Sequence, residues 1–393
     1  MVEKKVFLKK DKERFVLQNR HPWIFSGAID RFPDSIETGD IASLYSFSGQ
    51  FLALAYFHRE NSLSGRILSY EKKPIRQILQ EKIEAAFFLR KALVIDKKTN
   101  CFRLINAEED GLPGLIVDFY DGVLVLQVNT QGMEKLKALI IELLISIISP
   151  KTIYEKSTSS SRLQEGLDKV EGLLYGEDVS EVTALENGIL FTVAVQDGQK
   201  TGFFLDQREM RKKIGELSLG KKVLNCFSYS GGFSLYALKG GASHVVSVDT
   251  CSKAVELASR NTELNGFPLA NHEVLQEDVF TYLQNRDLSS FDIVILDPPA
   301  FAKKRQDVDS ASKGYRQLAE TVFRNSKKGT LLLTCSCSYF IDESLFKQII
   351  FQAASLANRD VKILSHHIHA ADHPVSLYHP EGDYLKSLLL WIS

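Results

Sequence analysis

The sequence predicts an α/β protein with a doubly wound sheet in its C-terminal half, preceded by a small β domain and an α+β middle domain. Strand-like and helix-like segments alternate from about residue 186, and two of the strand-like segments are apolar throughout, as in strands covered on both faces. The first seventy residues instead hold short apolar runs between Gly, Ser and Asn turns. The expected domain boundaries are 1–72, 73–185 and 186–393.

The composition is that of an ordinary globular protein. The chain has 393 residues, of which 44% are hydrophobic and 25% are charged, and its formal net charge is −1. These values exclude a disordered chain, a collagen and a small disulfide scaffold. Five cysteines without regular spacing indicate reduced thiols and a cytoplasmic location. No signal peptide is visible, and the longest apolar stretch, 139–148, is too short to cross a membrane.

The first domain is expected to be a compact β barrel or sandwich with a basic N-terminal arm. Its apolar runs are 7–10, 15–18, 42–47, 50–57 and 66–70. Seven Lys or Arg and three acidic residues lie within the first twenty positions. Two interpretations of this charge are open, a solvated face or an arm that contacts phosphates. The residues that bind RNA in the second interpretation are Lys9, Lys10, Arg14 and Arg20.

The middle domain mixes helical and strand-like segments and shows no motif with a chemical function. The predicted segments are a helix over 74–95, strands at 101–106, 114–120 and 123–129, a helix over 133–148 and a strand at 153–156. The polar tract 157–161 is expected to be a loop. The apolar face of the second helix leaves two interpretations open, because it could pack in the core or form the interface of a homodimer.

The C-terminal half shows the succession that crossover units require. Strands are predicted at 222–227, 244–249, 273–276, 291–296 and 329–335. Helices are predicted at 233–239, 252–265, 279–285 and near 315–325. This succession predicts a parallel sheet, whose ligands bind at the carboxyl ends of the strands.

Four of these strand ends carry residues suited to a nucleotide-like cofactor. The segment 225–233 contains two successive glycines, beginning at Gly231, that permit a tight turn, although it matches neither GxGxxG nor a P-loop. Asp249 ends the second strand, where a carboxylate accepts hydrogen bonds from a ribose diol. Asp278 follows the third strand and could meet an adenine amino group or cap the next helix. Asp297 ends the fourth strand before a Pro-Pro pair that stiffens the loop.

This order of features resembles the class I S-adenosylmethionine-dependent methyltransferases over residues 200–393. The absence of phosphate-binding glycines agrees with that resemblance, because S-adenosyl-L-methionine has no pyrophosphate. The cofactor-binding residues that it implies in this part of the chain are Asn225, Phe227, Ser228, Tyr229, Gly231, Asp249, Asp278 and Asp297.

The fifth strand ends in Cys335 and Cys337, next to the expected methyl donor. These thiols are either buried and inert or include a nucleophile. The second interpretation has a chemical reason, since C5 of cytosine attacks a sulfonium methyl group only after a thiolate has added to C6. By strand order, Asp297 lies where a carboxyl group could stabilise that adduct near N3. Phe301 could offer a ring on which the base stacks.

The whole chain resembles the bacterial 23S ribosomal RNA 5-methylcytosine methyltransferases of the large-subunit methyltransferase I type. In that family a PUA-like RNA-binding domain and a small α+β domain precede a Rossmann-like catalytic domain. The matching segments are 39–41 through 66–68, 111–118, 201–208, 225–233, 297–299, 336–338, 372–374 and 381–386.

The resemblance implies a nucleophile, a partner and further cofactor contacts. Cys337 is the implied nucleophile, with Cys335 ranked second, and large-subunit ribosomal RNA is the implied partner and target of rRNA processing. The residues that line the methionine end of the cofactor are Phe204, Asp206 and Arg208. The alternative for the segment 201–208 is a structural hairpin with a surface ion pair.

Two further groups of residues are candidates for binding RNA or a metal ion. Lys303, Lys304 and Arg305 follow the Pro-Pro pair and either contact the RNA backbone or form an exposed polar loop. Four histidines lie between 366 and 373, but their spacing is irregular and no further ligands complete a set. We therefore expect no metal ion.

The sequence favours methylation of cytosine C5 in large-subunit ribosomal RNA over three alternatives. Methylation of guanine at N7 or an exocyclic amine would need no thiolate. A non-catalytic RNA-binding protein is disfavoured, because Asp249, Asp297 and Cys337 are all present. A small-molecule methyltransferase is disfavoured by the basic arm and the PUA-like domain.

Overall fold

The structure, a computed structural model, describes residues 3–393 of the chain and divides it into two compact units. Unit 1 comprises Met1–Leu185, Val193–Leu205 and Ala371–Gly382, and unit 2 comprises Glu186–Thr192, Asp206–Ala370 and Asp383–Ser393. Met1 and Val2 lie outside the described residues. The three-domain boundaries expected from the sequence stay a prediction.

The first sheet of unit 1 has six strands in the order β2-β6-β5-β4-β1-β3. Its strands are β1 (Lys5–Leu8), β2 (Trp23–Phe25), β3 (Ile29–Arg31), β4 (Ile41–Tyr45), β5 (Phe51–Phe57) and β6 (Leu63–Ser69). Only the β1–β4 pairing is parallel among the pairings described for this sheet. Most of the apolar run at 15–18 lies in a short helix, α1 (Glu13–Leu17). Val16 is the residue of this helix that is buried against the sheet.

The second sheet of unit 1 has five strands in the order β11-β10-β9-β8-β7. Its strands are β7 (Cys101–Asn106), β8 (Leu115–Tyr120), β9 (Val123–Val128), β10 (Thr152–Ser157) and β11 (Val170–Gly176). The helices that accompany it are α2 (Ile75–Leu93), α3 (Gln131–Ile148) and α4 (Ser160–Gln164). The tract 157–161, expected to be a loop, contains the end of β10 and the start of α4. Its serine-rich sequence has no apolar pattern that would have indicated either element.

Helix α3 is the crossover between the parallel strands β9 and β10. Its side chains Met133, Ile140 and Leu144 are fully buried in the core of unit 1, where they join residues of β7 to β9. This packing accounts for the apolar face of the helix within one chain. The homodimer stays a prediction.

A two-stranded sheet of β12 (Glu181–Glu186) and β13 (Ile189–Ala194) follows. Its turn is the pair Asn187–Gly188, and both residues adopt positive φ, 49° and 73°. A positive φ at two successive turn positions is typical of Asn-Gly hairpins.

The sheet of unit 2 has seven strands in the order β16-β15-β14-β17-β18-β20-β19. Its strands are β14 (Lys222–Cys226), β15 (His244–Asp249), β16 (His272–Gln276), β17 (Ile293–Leu296), β18 (Leu331–Ser336), β19 (Val361–His366) and β20 (Lys386–Ile392). The helices of this part of the chain are α5 (Arg208–Leu217), α6 (Gly232–Lys239), α7 (Ser252–Leu264), α8 (Val279–Asn285), α9 (Val308–Asn325) and α10 (Glu343–Leu356).

The expected parallel sheet is confirmed for the five predicted strands, and two strands that were not predicted extend it at one edge. Strands β14 to β18 are parallel, as predicted, but β20 pairs antiparallel with both β18 and β19. Most side chains of the edge strand β19 are exposed. Its sequence therefore shows no alternating apolar pattern, and no strand was predicted there. Helix α9 also begins earlier than expected. Its first turns are mostly polar, so the helical spacing of apolar residues that starts with Ala311 and Tyr315 was not recognised there.

One hydrophobic core of unit 2 lies between its sheet and the helices α8, α9 and α10. All four residues of β17 are buried, as the apolar sequence of that strand predicted. The chain leaves the central strand β14 toward β15 on one side and later returns to β17 on the other. Such a switch in strand order leaves a crevice outside the carboxyl ends of the central strands. No helix within residues 3–393 is both long and apolar enough to span a bilayer.

Candidate active site

The loop after β14 has an unusual backbone conformation. Phe227, Tyr229 and Gly231 have φ angles of 59°, 46° and 78°. A positive φ is costly for bulky residues such as Phe and Tyr, and such conformations concentrate at ligand sites. A Cβ atom at Gly231 would lie 3.2 Å from Cβ of Ala258, so glycine also allows α7 to pack closely. The predicted cofactor loop is therefore a tightly wound turn at the end of the central strand.

Asp249 fixes this loop from the end of β15. One carboxylate oxygen accepts a hydrogen bond from the backbone N–H of Tyr229, and the other accepts one from the N–H of Cys251, both at 2.9 Å. Each carboxylate oxygen can accept more than one hydrogen bond, so these contacts leave capacity for a ribose diol. The side chain is half-buried at the crevice. Its geometry suits the predicted role, which stays a prediction.

Three buried polar side chains in this part of the chain each hold an atom without a hydrogen-bond partner. These atoms are Oδ1 of Asn225, Oγ of Ser228 and Oε1 of Gln207. The amide nitrogen of Asn225 donates to Oγ of Ser234 at 2.8 Å, which fixes the direction of the unpaired oxygen. Burying polar atoms without partners is costly, so a polar ligand at these strand ends would relieve the cost. These hydrogen-bonding oxygens therefore fit the predicted cofactor.

Asp297 stands at the end of β17, beside the strand that carries the loop. Its Oδ1 accepts a hydrogen bond from Nε2 of Gln207 at 3.1 Å. Asp297 also faces the thiol of Cys335, which is fully buried in β18. Burial, together with the negative charge of Asp297, raises the pKa of the Cys335 thiol well above its usual value. Cys335 is therefore held protonated, which suits a structural thiol better than a nucleophile.

Cys337 lies one residue beyond the end of β18 and is half-exposed, while Ser336 and Ser338 on either side of it are buried. The hydroxyl group of Ser338 is 2.9 Å from the hydroxyl of Tyr315 and accepts a hydrogen bond from the N–H of Ala302 at 3.2 Å. The loop that carries the Cys337 thiol is thus anchored to α9 and to the loop after β17.

Lys386, at the start of β20, is a residue of this site for which no role was predicted. Its Nζ donates hydrogen bonds to the backbone carbonyls of Ser338 at 2.8 Å and Tyr384 at 2.6 Å. Burial lowers the pKa of the Lys386 amine, and the negative charge of Cys337 acts in the opposite direction. Ser338 lies 48 residues away in the chain, so no local pattern in the sequence pointed to this contact.

Asp206 and Arg208 lie at the entrance to α5 and are both buried. The hydroxyl group of Tyr384 donates to Oδ2 of Asp206 at 2.6 Å. Nε of Arg208 donates to Oε2 of Glu186 at 3.1 Å, and Arg211 donates to the same carboxylate. The alternative of a hairpin with a surface ion pair is therefore wrong, because the segment leads into a helix and its ion pair is buried.

The cofactor contacts proposed for this segment stay predictions. The guanidinium group of Arg208 forms an ion pair with Glu186. Phe204 belongs to unit 1, where Nζ of Lys200 lies 4.3 Å from the centroid of its ring.

Asp278 caps helix α8, which was one of its two interpretations. Its Oδ1 accepts hydrogen bonds from the backbone N–H and the hydroxyl group of Thr281, both at 2.9 Å. The side chain is exposed at the end of β16, and its contact with an adenine ring stays a prediction.

The ring of Phe301 packs against the core of unit 2. Its centroid lies 4.7 Å from that of Tyr315 and 6.4 Å from that of Phe280, and a Cβ atom at Gly314 would approach it to 3.2 Å. This packing makes Phe301 part of the wall that supports Tyr315, and stacking of a base on its partly buried ring stays a prediction.

The predicted RNA-binding side chains are all exposed, although they belong to different units. Lys9, Lys10, Arg14 and Arg20 lie in unit 1, and Lys303, Lys304 and Arg305 lie in unit 2. The guanidinium group of Arg20 lies over the rings of Tyr70 and Tyr378, at 4.8 and 5.4 Å. Within residues 3–393 no group of three or more His, Cys, Asp or Glu side chains is placed to hold a metal ion.

The chain is similar to known proteins both in sequence and in structure. A family model described as S-adenosylmethionine-dependent methyltransferase matches residues 109–360, and a PUA-like domain model matches residues 6–70. Ribosomal RNA large subunit methyltransferase I of Aliivibrio fischeri is 39% identical over 386 residues, and that of Vibrio vulnificus is 40% identical over 387 residues. In both cases the match covers 97% of this chain and 97% of the relative.

A solved structure of SMU.776 complexed with SAH is similar to the whole chain. It has a TM-score of 0.84 and 26% sequence identity, and the alignment covers 100% of both chains. Together with the family models, this similarity confirms the predicted fold class, including the N-terminal PUA-like domain.

Proposed function

Since the chain belongs to the family of S-adenosylmethionine-dependent methyltransferases that includes ribosomal RNA large subunit methyltransferase I, we propose that it methylates C5 of a cytosine in large-subunit ribosomal RNA. The observation that carries the choice of C5 is the half-exposed thiol of Cys337 at the carboxyl end of β18, beside the strand that ends in Asp297. A transfer to nitrogen would not require a thiol at that place.

The residues around β14 suit the cofactor of this family. S-adenosyl-L-methionine supplies an electrophilic methyl group and leaves as a neutral thioether. Asp249 would accept hydrogen bonds from its ribose hydroxyls, while the unpaired oxygens of Asn225, Ser228 and Gln207 would accept hydrogen bonds from its donors. Because the turn at 227–231 is already wound, little ordering of the backbone is needed when the ligand binds.

Cys337 would act as the nucleophile toward the target base. Its thiolate forms a bond to C6 of cytosine, and the electron pair of the C5–C6 double bond moves toward the ring nitrogen and makes C5 nucleophilic. The ammonium group of Lys386, buried behind the same loop, favours the thiolate over the thiol. The full burial of Cys335 favours Cys337 for this role.

Asp297 would face N3 of the same base. N3 takes up a proton from water when C6 is attacked, and the negative charge of Asp297 stabilises the protonated ring nitrogen. That proton returns to water when the adduct breaks down. Gln207 holds the carboxyl group in place through the hydrogen bond to Oδ1. After C5 has taken the methyl group, the proton on C5 passes to water, the C5–C6 double bond re-forms and the C6–S bond breaks. The thiolate is thereby regenerated.

A trapping experiment tests this proposal. RNA with 5-fluorocytidine at the target position should form a covalent complex with the enzyme, because fluorine at C5 cannot leave as a proton. Cys337→Ala should abolish both the complex and methylation of ribosomal RNA, while binding of S-adenosylhomocysteine in calorimetry is retained. Cys335→Ala should still form the complex. Methylation of a guanine by the Cys337→Ala variant, mapped by mass spectrometry, would establish the alternative reaction instead.

A further inference from the structure

Two aromatic side chains, Tyr339 and Phe340, are exposed immediately after the proposed nucleophile. Their exposed fractions are 55% and 37%, and their ring centroids lie 5.2 Å apart with the planes at 89°. Exposed aromatic surface costs free energy that burial would recover, so adjacent exposed rings often mark a binding surface. The pair is not part of the core that holds Tyr315 and Phe346.

The backbone presents these two rings at the tip of a turn. The N–H of Ile341 donates to the carbonyl oxygen of Ser338 at 3.1 Å, so Tyr339 and Phe340 are the central residues of a four-residue turn. Ser338 and Ile341 are both fully buried and anchor the two ends. Central turn positions favour Gly, Pro, Asn, Asp and Ser, and local backbone preference gives no reason for two aromatic residues here.

The same anchor connects the aromatic turn to the basic run. The backbone N–H of Ala302 donates to the hydroxyl group of Ser338 at 3.2 Å, and both residues are buried. The exposed residues Lys303, Lys304 and Arg305 follow directly on one side of this bond, and the aromatic pair follows on the other. Proteins that bind single-stranded RNA combine cations for the phosphates with aromatic rings for the bases.

We propose that Tyr339 and Phe340 form a stacking platform for an unpaired base next to the target cytosine in the RNA substrate. The assignment rests on the proposed function, because it takes Cys337 as the residue that the target base approaches. Tyr339 is two residues after Cys337, so their Cα atoms are at most about 7 Å apart. Bases in a stacked strand are about 3.4 Å apart, so a base next to the target cytosine comes within reach of the Tyr339 ring. Lys303 and Lys304 contact the phosphates of the same strand.

Binding of a fluorescein-labelled single-stranded oligoribonucleotide to the full chain tests the platform without any methyl transfer. The double variant with Tyr339→Ala and Phe340→Ala should bind about tenfold or more weakly, with an unchanged dependence of affinity on salt. Tyr339→Phe should bind as the unchanged chain does, since stacking uses the ring. The matched control is Phe351→Ala on α10, where the ring is 71% exposed, and its affinity should not change.

A second comparison separates stacking from phosphate contact. Removing both Lys303 and Lys304 should reduce the slope of log affinity against log salt by about 1.4, whereas the aromatic variant leaves that slope in place. Affinity of the aromatic double variant equal to that of the unchanged chain would overturn the platform, as would an equal loss in Phe351→Ala. Neither result bears on the trapping experiment with Cys337, so the two proposals fail separately. Calorimetry with S-adenosylhomocysteine confirms that each variant is folded.

Discussion

Nζ of Lys386 donates a hydrogen bond to the backbone carbonyl of Ser338 at 2.8 Å, and so an antiparallel strand fixes the loop of the proposed nucleophile. The charge of Cys337 also acts on Tyr315 and Cys335, while the charges of Asp342 and Asp383 act on the lysine. Of these groups coupled electrostatically to Cys337, Lys386 is the cation.

Replacing Lys386 with Met should therefore lower the thiolate fraction of Cys337. The loss of a nearby positive charge removes a stabilising interaction with the anion, so alkylation of Cys337 by iodoacetamide should slow about tenfold near pH 7. The rate at each pH can be followed by mass spectrometry of the peptide that contains Cys337. Lys386→Arg should restore most of the rate, and an unchanged rate in the Met variant would show that the lysine acts on the backbone alone.

Replacing Asp249 with Ala should weaken cofactor binding. The variant loses the acceptor for the N–H groups of Tyr229 and Cys251, as well as the carboxylate expected to meet the ribose. Hydrogen bonds to charged groups contribute about 1.5–3 kcal/mol, so calorimetry should show at least tenfold weaker binding of S-adenosylhomocysteine. RNA affinity should be unchanged. A variant that binds the ligand normally would remove Asp249 from the site.

Replacing Glu186 with Gln should destabilise unit 2. The carboxylate of Glu186 is fully buried and accepts hydrogen bonds from Arg208, Arg211 and Tyr236. Its loss removes a carboxylate that pairs with two buried cations, and breaking a buried ion pair from one side typically costs about 3–5 kcal/mol. Urea unfolding measures the effect.

The control for Glu186 is Glu142→Gln, which breaks the exposed ion pair with Arg76. Surface pairs contribute at most about 1 kcal/mol, so that variant should unfold close to the unchanged chain. Equal midpoints for the two variants would contradict the assignment of Glu186 as a structural counter-ion.

The contact between His379 and Glu109 should make the stability of unit 1 depend on pH. Nδ1 of His379 lies 2.6 Å from Oε1 of Glu109. Burial lowers the pKa of His379, but the hydrogen bond to Glu109 and the surrounding carboxylates outweigh it, and the net pKa is raised. A raised pKa stabilises the folded state fully below the unfolded value of about 6.5, and this contribution is lost as pH rises through the folded pKa.

His379→Gln should therefore reduce the thermal unfolding temperature most at pH 6 and least at pH 9. The comparison needs only the difference between variant and unchanged chain at each pH, so other titrating groups cancel. A difference that grows with pH would contradict the assigned direction of the shift.

The sequence predicted those parts of the fold where burial leaves a clear periodic pattern. The predicted bounds of β7, β15 and α8 agree with the structure at both ends. Helices α5 and α10 were missed although both have an apolar face, because neither lies between two of the strands that the sequence indicated.

The cofactor side of the candidate site was predictable for a related reason. The carboxyl ends of parallel strands meet at one edge of a sheet, so Asn225, Asp249 and Asp297 could be expected together without knowledge of distant pairing. Lys386 and Glu186 could not, because each reaches its partners through a pairing or packing contact between segments far apart in the chain. Local sequence carries no record of such contacts.

The antiparallel pairing of β20 with β18 limits how this enzyme can tolerate insertions. Side chains alternate between the two faces of a strand, so one residue added within 386–392 would turn the ammonium group of position 386 to the opposite face of the sheet. Residues added within the preceding loop would leave the alternation intact. A single residue added inside β20 should thus abolish methyl transfer.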